Sequence, residues 1–236
     1  MRFLPLALGF LALAPTSNRA QEPERVRTEL LTLALDEPVA GLFFHSGREV
    51  AVFQANLTGL GQPLVYEGPR RLRLRASEAE FAAKPPLPAP AAAVDLPPAA
   101  DRVLLLCMKS GKEPLKLKAY DISTGKSAAG DYRFFNFSNQ EISAILGDKR
   151  FALPAGRDSI VSDLSWNKET LDLPMQMAVV RDGKPKLVYS SVWGHRSGRR
   201  NFVFLFDGKQ VAKPVGVYRF FDIPSAAAPA GSPASP

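Results

Sequence analysis

Short apolar segments, each closed by a Gly or Asp turn, recur along most of this 236-residue chain. Residues 71–75 alternate strictly between Arg and Leu, and residues 202–206 place Phe at every second position. A period of two is typical of β-strands, whose successive side chains point to opposite faces. Because such segments return at intervals of roughly ten residues and no helical period is visible, the sequence predicts an all-β sandwich architecture.

The segment at residues 202–206 is apolar on both faces, since Val203 and Leu205 alternate with the Phe residues. A strand of this kind lies in the centre of its sheet or beneath another layer. Three dipeptides favour tight hairpin turns, and they are Gly147-Asp148, Asp182-Gly183 and Asp207-Gly208.

Residues 84–100 are rich in Pro and Ala, unlike the segments on either side. Because Pro cannot donate a backbone hydrogen bond to a sheet, this stretch is predicted to be a semi-rigid linker. The predicted organisation is two immunoglobulin-like β-sandwich domains, a small one over residues 21–83 and a larger one over 101–223, followed by a disordered Ala/Pro/Ser tail over 224–236. In the alternative, residues 93–96 pair as an edge strand and both halves share one core.

The first twenty residues have the form of a secretory signal peptide. Arg2 precedes an apolar core over residues 3–14, and small or polar residues follow. This core is shorter than the ~20 residues of a membrane-spanning helix, and no later segment approaches that length. We therefore expect residues 1–20 to be a cleaved signal peptide, which gives a mature chain without a membrane span and a periplasmic or secreted location. The alternative is an uncleaved membrane anchor.

The charge balance argues for anionic contacts. Removing residues 1–20 takes away Arg2 and Arg19 and lowers the formal net charge from +7 to +5. A surplus of this size suits acidic glycans or lipid headgroups, but it is too small and too scattered to indicate nucleic acid.

No arrangement of metal-ligating or nucleophilic residues stands out. Cys107 is the only cysteine and lies in an apolar segment, which predicts a packed thiol and no internal disulfide. His45 and His195 are far apart, and neither a zinc motif nor a G-x-S-x-G motif is present. We expect no metal, no cofactor and no catalytic residue, with a hydrolase of unrecognised site as an alternative.

Two basic segments are candidate binding surfaces. Arg71, Arg73 and Arg75 would line one face of a strand, opposite two inward Leu residues. The second is a loop between two strong strands, where Arg side chains could bind carboxylate or phosphate and stack on an aromatic ring. Its candidate residues are Trp193, His195, Arg196, Arg199 and Arg200.

Residues 132–156 carry a further pattern. The segment Tyr132-Arg-Phe-Phe-Asn-Phe-Ser138 is followed by Ile142-Ser-Ala-Ile-Leu-Gly147 and by Leu153-Pro-Ala-Gly156. This order resembles the repeat unit of certain bacterial cell-surface immunoglobulin-like modules. The resemblance implies a sandwich fold, a surface or periplasmic location, and no assigned catalytic residues.

A short internal echo is also present, because Gly-x-Tyr-Arg-Phe-Phe occurs at residues 130–135 and again at 216–221. We interpret it as two strands in similar environments, with a duplicated half-domain as the alternative.

Together these features favour an exported, non-enzymatic structural or adaptor protein of the bacterial envelope. It would bind an envelope protein through strand edges and basic loops. A module that binds an anionic polysaccharide is the alternative, and it would show a row of exposed aromatic side chains drawn from Trp166, Trp193 and Tyr189.

Overall fold

The computed structural model describes residues 24–84, 86–210 and 213–224. The predicted signal peptide and all of the predicted tail after Pro224 lie outside these residues. Within them the chain forms 16 β-strands and one four-residue 3-10 helix, Glu78–Phe81, so the all-β prediction is confirmed. No helix in these ranges is long and apolar enough to cross a bilayer.

The strands are β1 Arg25–Ala34, β2 Val39–Ser46, β3 Glu49–Ala55, β4 Leu64–Pro69, β5 Arg71–Leu74, β6 Ala92–Asp95, β7 Arg102–Met108, β8 Lys116–Asp121, β9 Tyr132–Asn136, β10 Ile142–Leu146, β11 Lys149–Leu153, β12 Asp158–Val161, β13 Asp172–Arg181, β14 Lys184–Gly194, β15 Arg200–Gln210 and β16 Lys213–Asp222.

The first eight strands form one group. One sheet has the order β4-β1-β7-β8, and facing it are the two-stranded sheets β2-β3 and β5-β6, which are joined through an antiparallel bridge between Phe43 and Arg75. Leu30, Phe53 and Leu105 belong to the apolar cluster that these strands enclose. The last eight strands form a second group, in which the sheets β12-β9-β15-β16 and β11-β10-β13-β14 enclose another cluster.

The two groups have the same strand order and the same pairing directions. Adding eight to each label of the sheet β4-β1-β7-β8 gives β12-β9-β15-β16. In both sheets the central pair is parallel, β1 with β7 and β9 with β15, and the outer pairs are antiparallel. The repeated motif Gly-x-Tyr-Arg-Phe-Phe does not correspond to this structural repeat, because its two copies lie in β9 and β16 of the same sheet.

A third apolar cluster joins the two groups. Its members alternate with residues of the other clusters, so that Phe202 and Phe204 of β15 face this layer while Val203 and Leu205 face the second group's own core. From the first group come Leu31 and Leu33 of β1, Leu104 and Leu106 of β7, and Ile122. The central strands of these two sheets are therefore largely buried on both faces, and the prediction from residues 202–206 is confirmed because β15 is one of these central strands.

A buried ion cluster lies beside this layer. Asp222 of β16 accepts hydrogen bonds from Arg200 Nε at 2.7 Å and from Arg102 Nη2 of the first group at 3.2 Å. Arg200 is 0% exposed, and its Nη1 also donates to the carbonyls of Ile122 and Ser127. Asp222 is the anion that these two buried guanidinium groups share. Removing it would leave buried positive charge poorly compensated, which is strongly destabilising.

The predicted boundary at residues 84–100 does not separate the sheets. Strand β6 lies inside this stretch and pairs with β5, which agrees with the edge pairing in the alternative, although each group of strands encloses its own apolar cluster. Strands β7 and β8 then join the sheet of β1 and β4 rather than that of the later strands. The sheets divide between β8 and β9. The sequence did not reveal this division, because the parallel pairing of β1 with β7 spans a long stretch of chain and leaves no trace in local composition.

The turns agree with the sequence at two of three positions. Gly147-Asp148 connects β10 to β11, and Asp182-Gly183 connects β13 to β14 with positive φ at both residues. Asp207-Gly208 is not a turn, because β15 continues through it to Gln210 with a shift in register. Position 208 requires glycine because the neighbouring backbone lies very close: a Cβ there would collide with the carbonyl oxygen of Lys213.

We expect Asp222→Ala to lower the free energy of unfolding by about 3–5 kcal/mol, because it leaves the buried guanidinium of Arg200 without an anion and leaves Arg102 with only the partly exposed Glu29 at 3.4 Å. Glu141→Ala, which removes an exposed carboxylate, is the matched control and should change stability by less than about 0.5 kcal/mol. Urea unfolding of both variants measures the difference. Equal midpoints for the two variants would contradict the structural role of the ion cluster.

Candidate functional site

An open depression of about 630 Å³ lies at the start of β15 and the end of β16. Two loops form it, one between β12 and β13 and the other between β14 and β15, together with one residue after β16. The lining residues are Trp166, Lys168, Leu171, His195, Arg196, Ser197, Gly198, Arg199 and Ile223.

Backbone contacts hold the two loops together. His195 N donates to the carbonyl of Leu171 at 2.8 Å, which ties the second loop to the end of the first. The first loop is closed by Asn167, whose side-chain oxygen accepts from Glu169 N and Thr170 N. The second loop is anchored to the chain before β9, because Gly130 N donates to the carbonyl of Arg199 at 2.8 Å.

His195 is the buried wall of the depression. It is 1% exposed, its ring lies 4.2 Å from that of Trp166, and its Nδ1 lies 3.3 Å from the hydroxyl of Tyr132. Its Nε2 is buried and has no hydrogen-bond partner in the described chain. Burial lowers the pKa of His195 from its ordinary value, so the imidazole is neutral at pH 7 and does not add to the positive charge of the site.

The accessible charge of the depression is positive. Lys168 and Arg196 are exposed, and the half-buried Arg199 places its guanidinium carbon 4.2 Å from the centroid of the Phe221 ring. No acidic residue belongs to the described lining. Three cations beside the indole of Trp166 can bind a carboxylate or phosphate group while a flat or apolar part of the ligand packs on the ring.

The structure brings together only part of the predicted loop site. His195, Arg196 and Arg199 line the depression, whereas Arg200 is fully buried in the ion cluster and cannot reach a ligand. Trp193 faces the apolar core, where it stacks on Tyr132 at 5.8 Å. The prediction that Trp193 and Arg200 form a binding surface is wrong, because β14 and β15 extend into the loop and turn these side chains inward.

The predicted basic strand face of Arg71, Arg73 and Arg75 has fewer exposed arginines than expected. Arg71 and Arg73 are exposed, and Arg71 forms an ion pair with Asp95 of the neighbouring strand at 3.0 Å. Arg75 lies beyond the end of β5 and is buried, donating to Glu80 at 3.2 Å and to the carbonyl of Pro88 at 2.9 Å. It fixes the Pro-rich stretch to the 3-10 helix and is not a ligand contact.

Sequence reasoning missed Lys168 as a lining residue, and it named Trp166 only as one of three aromatic candidates for a polysaccharide site. Trp166 and Lys168 lie in the loop before β13, about 30 residues from Arg196. The one local signal is Trp166 itself, an aromatic residue within a polar stretch. Its relation to His195 depends on pairing between β13 and β14, which places Asp172 opposite Gly194.

Two candidate catalytic groups offered by the sequence are engaged elsewhere or not joined in the described chain. Asp158 is paired with Arg133 at 2.8 Å, and no hydrogen bond joins His195 to Ser197 among the described residues. No cluster of three metal-ligating side chains occurs in the same ranges. Cys107 is buried in the first core, and burial raises the pKa of its thiol to about 12, which makes it unreactive.

No protein-family model matches this sequence, and no curated protein shows significant similarity to it.

Protonation of His195 should weaken the fold. Because the pKa of His195 is lowered in the folded protein, the unfolded chain takes up a proton first as the pH falls below about 6.5. This contribution to stability is complete above that pH and declines below it, with a slope of up to about 1.4 kcal/mol per pH unit. Urea unfolding between pH 8 and pH 5 should show a shallower decline for His195→Gln than for the wild type. Parallel curves would contradict this assignment.

The structure predicts that Arg200 contributes more to the free energy of unfolding than Arg196 and Arg199 do. Arg196→Ser with Arg199→Ser should leave the free energy of unfolding within about 1 kcal/mol of the wild type, because both side chains reach solvent. Arg200→Ser should cost about 3–5 kcal/mol, because Asp222 loses its closest partner. Thermal unfolding followed by circular dichroism compares the variants, and similar losses in both would contradict the distinction.

Proposed function

We propose that this chain is an exported, non-enzymatic structural or adaptor protein of the bacterial cell envelope, and that it binds an acidic segment of a partner protein at the basic depression. The observation that carries the proposal is the continuity between strand β14 and the loop that bears Arg196 and Arg199. Strand β14 is the terminal strand of its sheet and leads directly into that loop.

The free edge of β14 supports recognition by strand addition. This strand is 11 residues long, and an extended peptide could pair with its main chain while its acidic side chains reach the depression. Lys184 and Lys186 are exposed at its start, and Leu187 and Val192 are 58% and 60% exposed. Near Trp193 the strand is approached by Arg219 of β16, so the accessible edge is the part before it.

The proposal includes an immunoglobulin-like β-sandwich for each group of eight strands. Its support is that two sheets in each group enclose one apolar cluster. Further support comes from Asn136, in the segment that resembles the cell-surface modules. This side chain is buried, donates to the carbonyls of Gln140 and Leu153, and accepts from Ser138, so the Asn-x-Ser pattern has a structural role.

An anionic polysaccharide is the second candidate ligand. The observation in its favour is that Trp166 lines the depression beside Lys168, because an indole ring can pack on a sugar while a cation binds its carboxylate. The expected row of exposed aromatic residues is absent from the described chain, since Trp193 is buried and Tyr189 is half-buried against the same core. We therefore rank the acidic peptide first.

Calorimetric titration with poly-L-glutamate, polygalacturonate and neutral dextran tests both candidates. We expect poly-L-glutamate to bind, with an affinity that falls as the ionic strength rises. Arg196→Ser with Arg199→Ser should weaken binding about tenfold or more, because two charge-assisted contacts are lost. Arg48→Ser with Lys112→Ser lowers the net charge equally at exposed sites in the first group and should have little effect.

The outcomes separate the candidates. Binding of polygalacturonate alone would favour the polysaccharide. Equal weakening by both double variants would show a general charge effect and would remove the depression as the site, and no binding of either polyanion at low salt would contradict the proposed function.

A further inference from the structure

A second cleft lies at the opposite end of β15, where the apolar layer between the two groups opens to solvent. Two adjoining cavities of about 750 Å³ and 350 Å³ share five lining residues, which are Leu35, Asp36, Ser110, Phe137 and Phe206. Strand β15 runs from Arg200 at the ion cluster to Phe206 at the cleft, which is a separation of roughly 20 Å along an extended strand. The cleft is therefore separate from the basic depression.

The cleft has an aromatic wall. Phe137 and Phe206 stack with their ring centroids 5.6 Å apart, and Tyr218 of β16 meets Phe206 edge-on at 5.8 Å. Tyr218 is 59% exposed, and Phe220 lies beside it in the lining. The deeper rings belong to the layer that joins the groups, so the wall is rigid and formed before any ligand binds.

The charge of this cleft is opposite to that of the whole protein. The larger cavity is lined by Asp36, Glu37 and Asp207, and its described lining contains no Lys, Arg or His, although the formal net charge of the chain is +7. The smaller cavity adds Glu113 and Lys116, so acidic side chains still outnumber basic ones in the described lining of the cleft. Asp207 is held in place by the backbone and side-chain nitrogens of Asn139 at 3.1 Å and 2.7 Å. Glu37 is fixed by Gly111 N at 2.7 Å.

The ring of Phe137 already has a cation over its face. The ammonium nitrogen of Lys118 lies 5.0 Å from the centroid of Phe137. Aromatic faces attract cations within about 6 Å, and adjacent carboxylates strengthen the attraction.

We propose that this cleft binds an organic cation, a quaternary ammonium or guanidinium group on an apolar body. The apolar body packs on Phe206 and Tyr218, and the charged group lies between the rings and the carboxylates of Asp36 and Glu37. The same chemistry is offered by a free small molecule and by a Lys or Arg side chain of another protein. This site is independent of the proposed function, because it uses other residues and the opposite charge.

The test compares benzyltrimethylammonium with neopentylbenzene, its neutral counterpart of the same shape, by chemical-shift titration of the full protein. We expect the cation to bind at least about tenfold more tightly. Asp36→Asn with Glu37→Gln should abolish this preference, while Glu169→Gln with Asp172→Asn, near the basic depression, should leave it unchanged. Tyr218→Ala should weaken binding of both probes, and its exposed position makes unfolding a small risk.

A third probe, the peptide acetyl-Arg-Phe-Arg-amide, distinguishes the two sources of the cation. Tighter binding of the peptide than of benzyltrimethylammonium supports a partner's side chain, and the reverse order supports a free small molecule. Equal affinities for the charged and neutral probes, or no shifts at Phe137, Phe206 and Tyr218 with either cation, would overturn the proposal.

Discussion

The apolar layer between the two groups of strands is the contact on which the rest of the structure depends. The sheets β4-β1-β7-β8 and β12-β9-β15-β16 each present Leu or Phe side chains on both faces, so neither could face water without exposing a large apolar patch. Alternation along β7 and β15 divides these side chains between a group's own core and the shared layer. The consequence is a stack of sheets in which the central strands β1, β7, β9 and β15 are covered on both faces, while the outer strands keep exposed residues such as Val65 and Tyr218.

The two ends of this layer differ in chemistry, and each end is next to one of the proposed sites. At the start of β15 a buried carboxylate and two guanidinium groups close the layer, and the loop before them carries Arg196 and Arg199 outward. At the far end the rings of Phe206 and Tyr218 are left partly open beside carboxylates. The same layer thus has a basic surface at one end and an acidic aromatic cleft at the other.

Local pattern predicted much of the fold. The all-β class, the double-faced strand at residues 202–206 and two of the hairpin turns follow from side-chain alternation and turn chemistry, which act between near neighbours. The sheets divide after β8 rather than at residues 84–100, and local pattern could not predict this. Composition reports the Pro content of a segment, but it does not report that β6 pairs with β5 or that β7 returns to β1.

The sites were harder to predict, because exposure depends on partners far along the chain. Arg200 and Arg196 are equivalent in a loop rich in Arg, yet Arg200 is buried by Asp222, Ile122 and Ser127. His195 is enclosed by Tyr132 and Trp166, which no motif links to it. The acidic cleft has no sequence signature, since its residues come from turns and strand ends of both groups.

Differential scanning calorimetry of the purified protein tests most directly whether the shared layer joins both groups into one cooperative unit. A single transition is expected, with a calorimetric enthalpy equal to the van't Hoff enthalpy, because separating the groups would expose Phe135, Phe202 and Phe204 together with their Leu partners. Two resolved transitions, or a calorimetric enthalpy well above the van't Hoff value, would contradict the account.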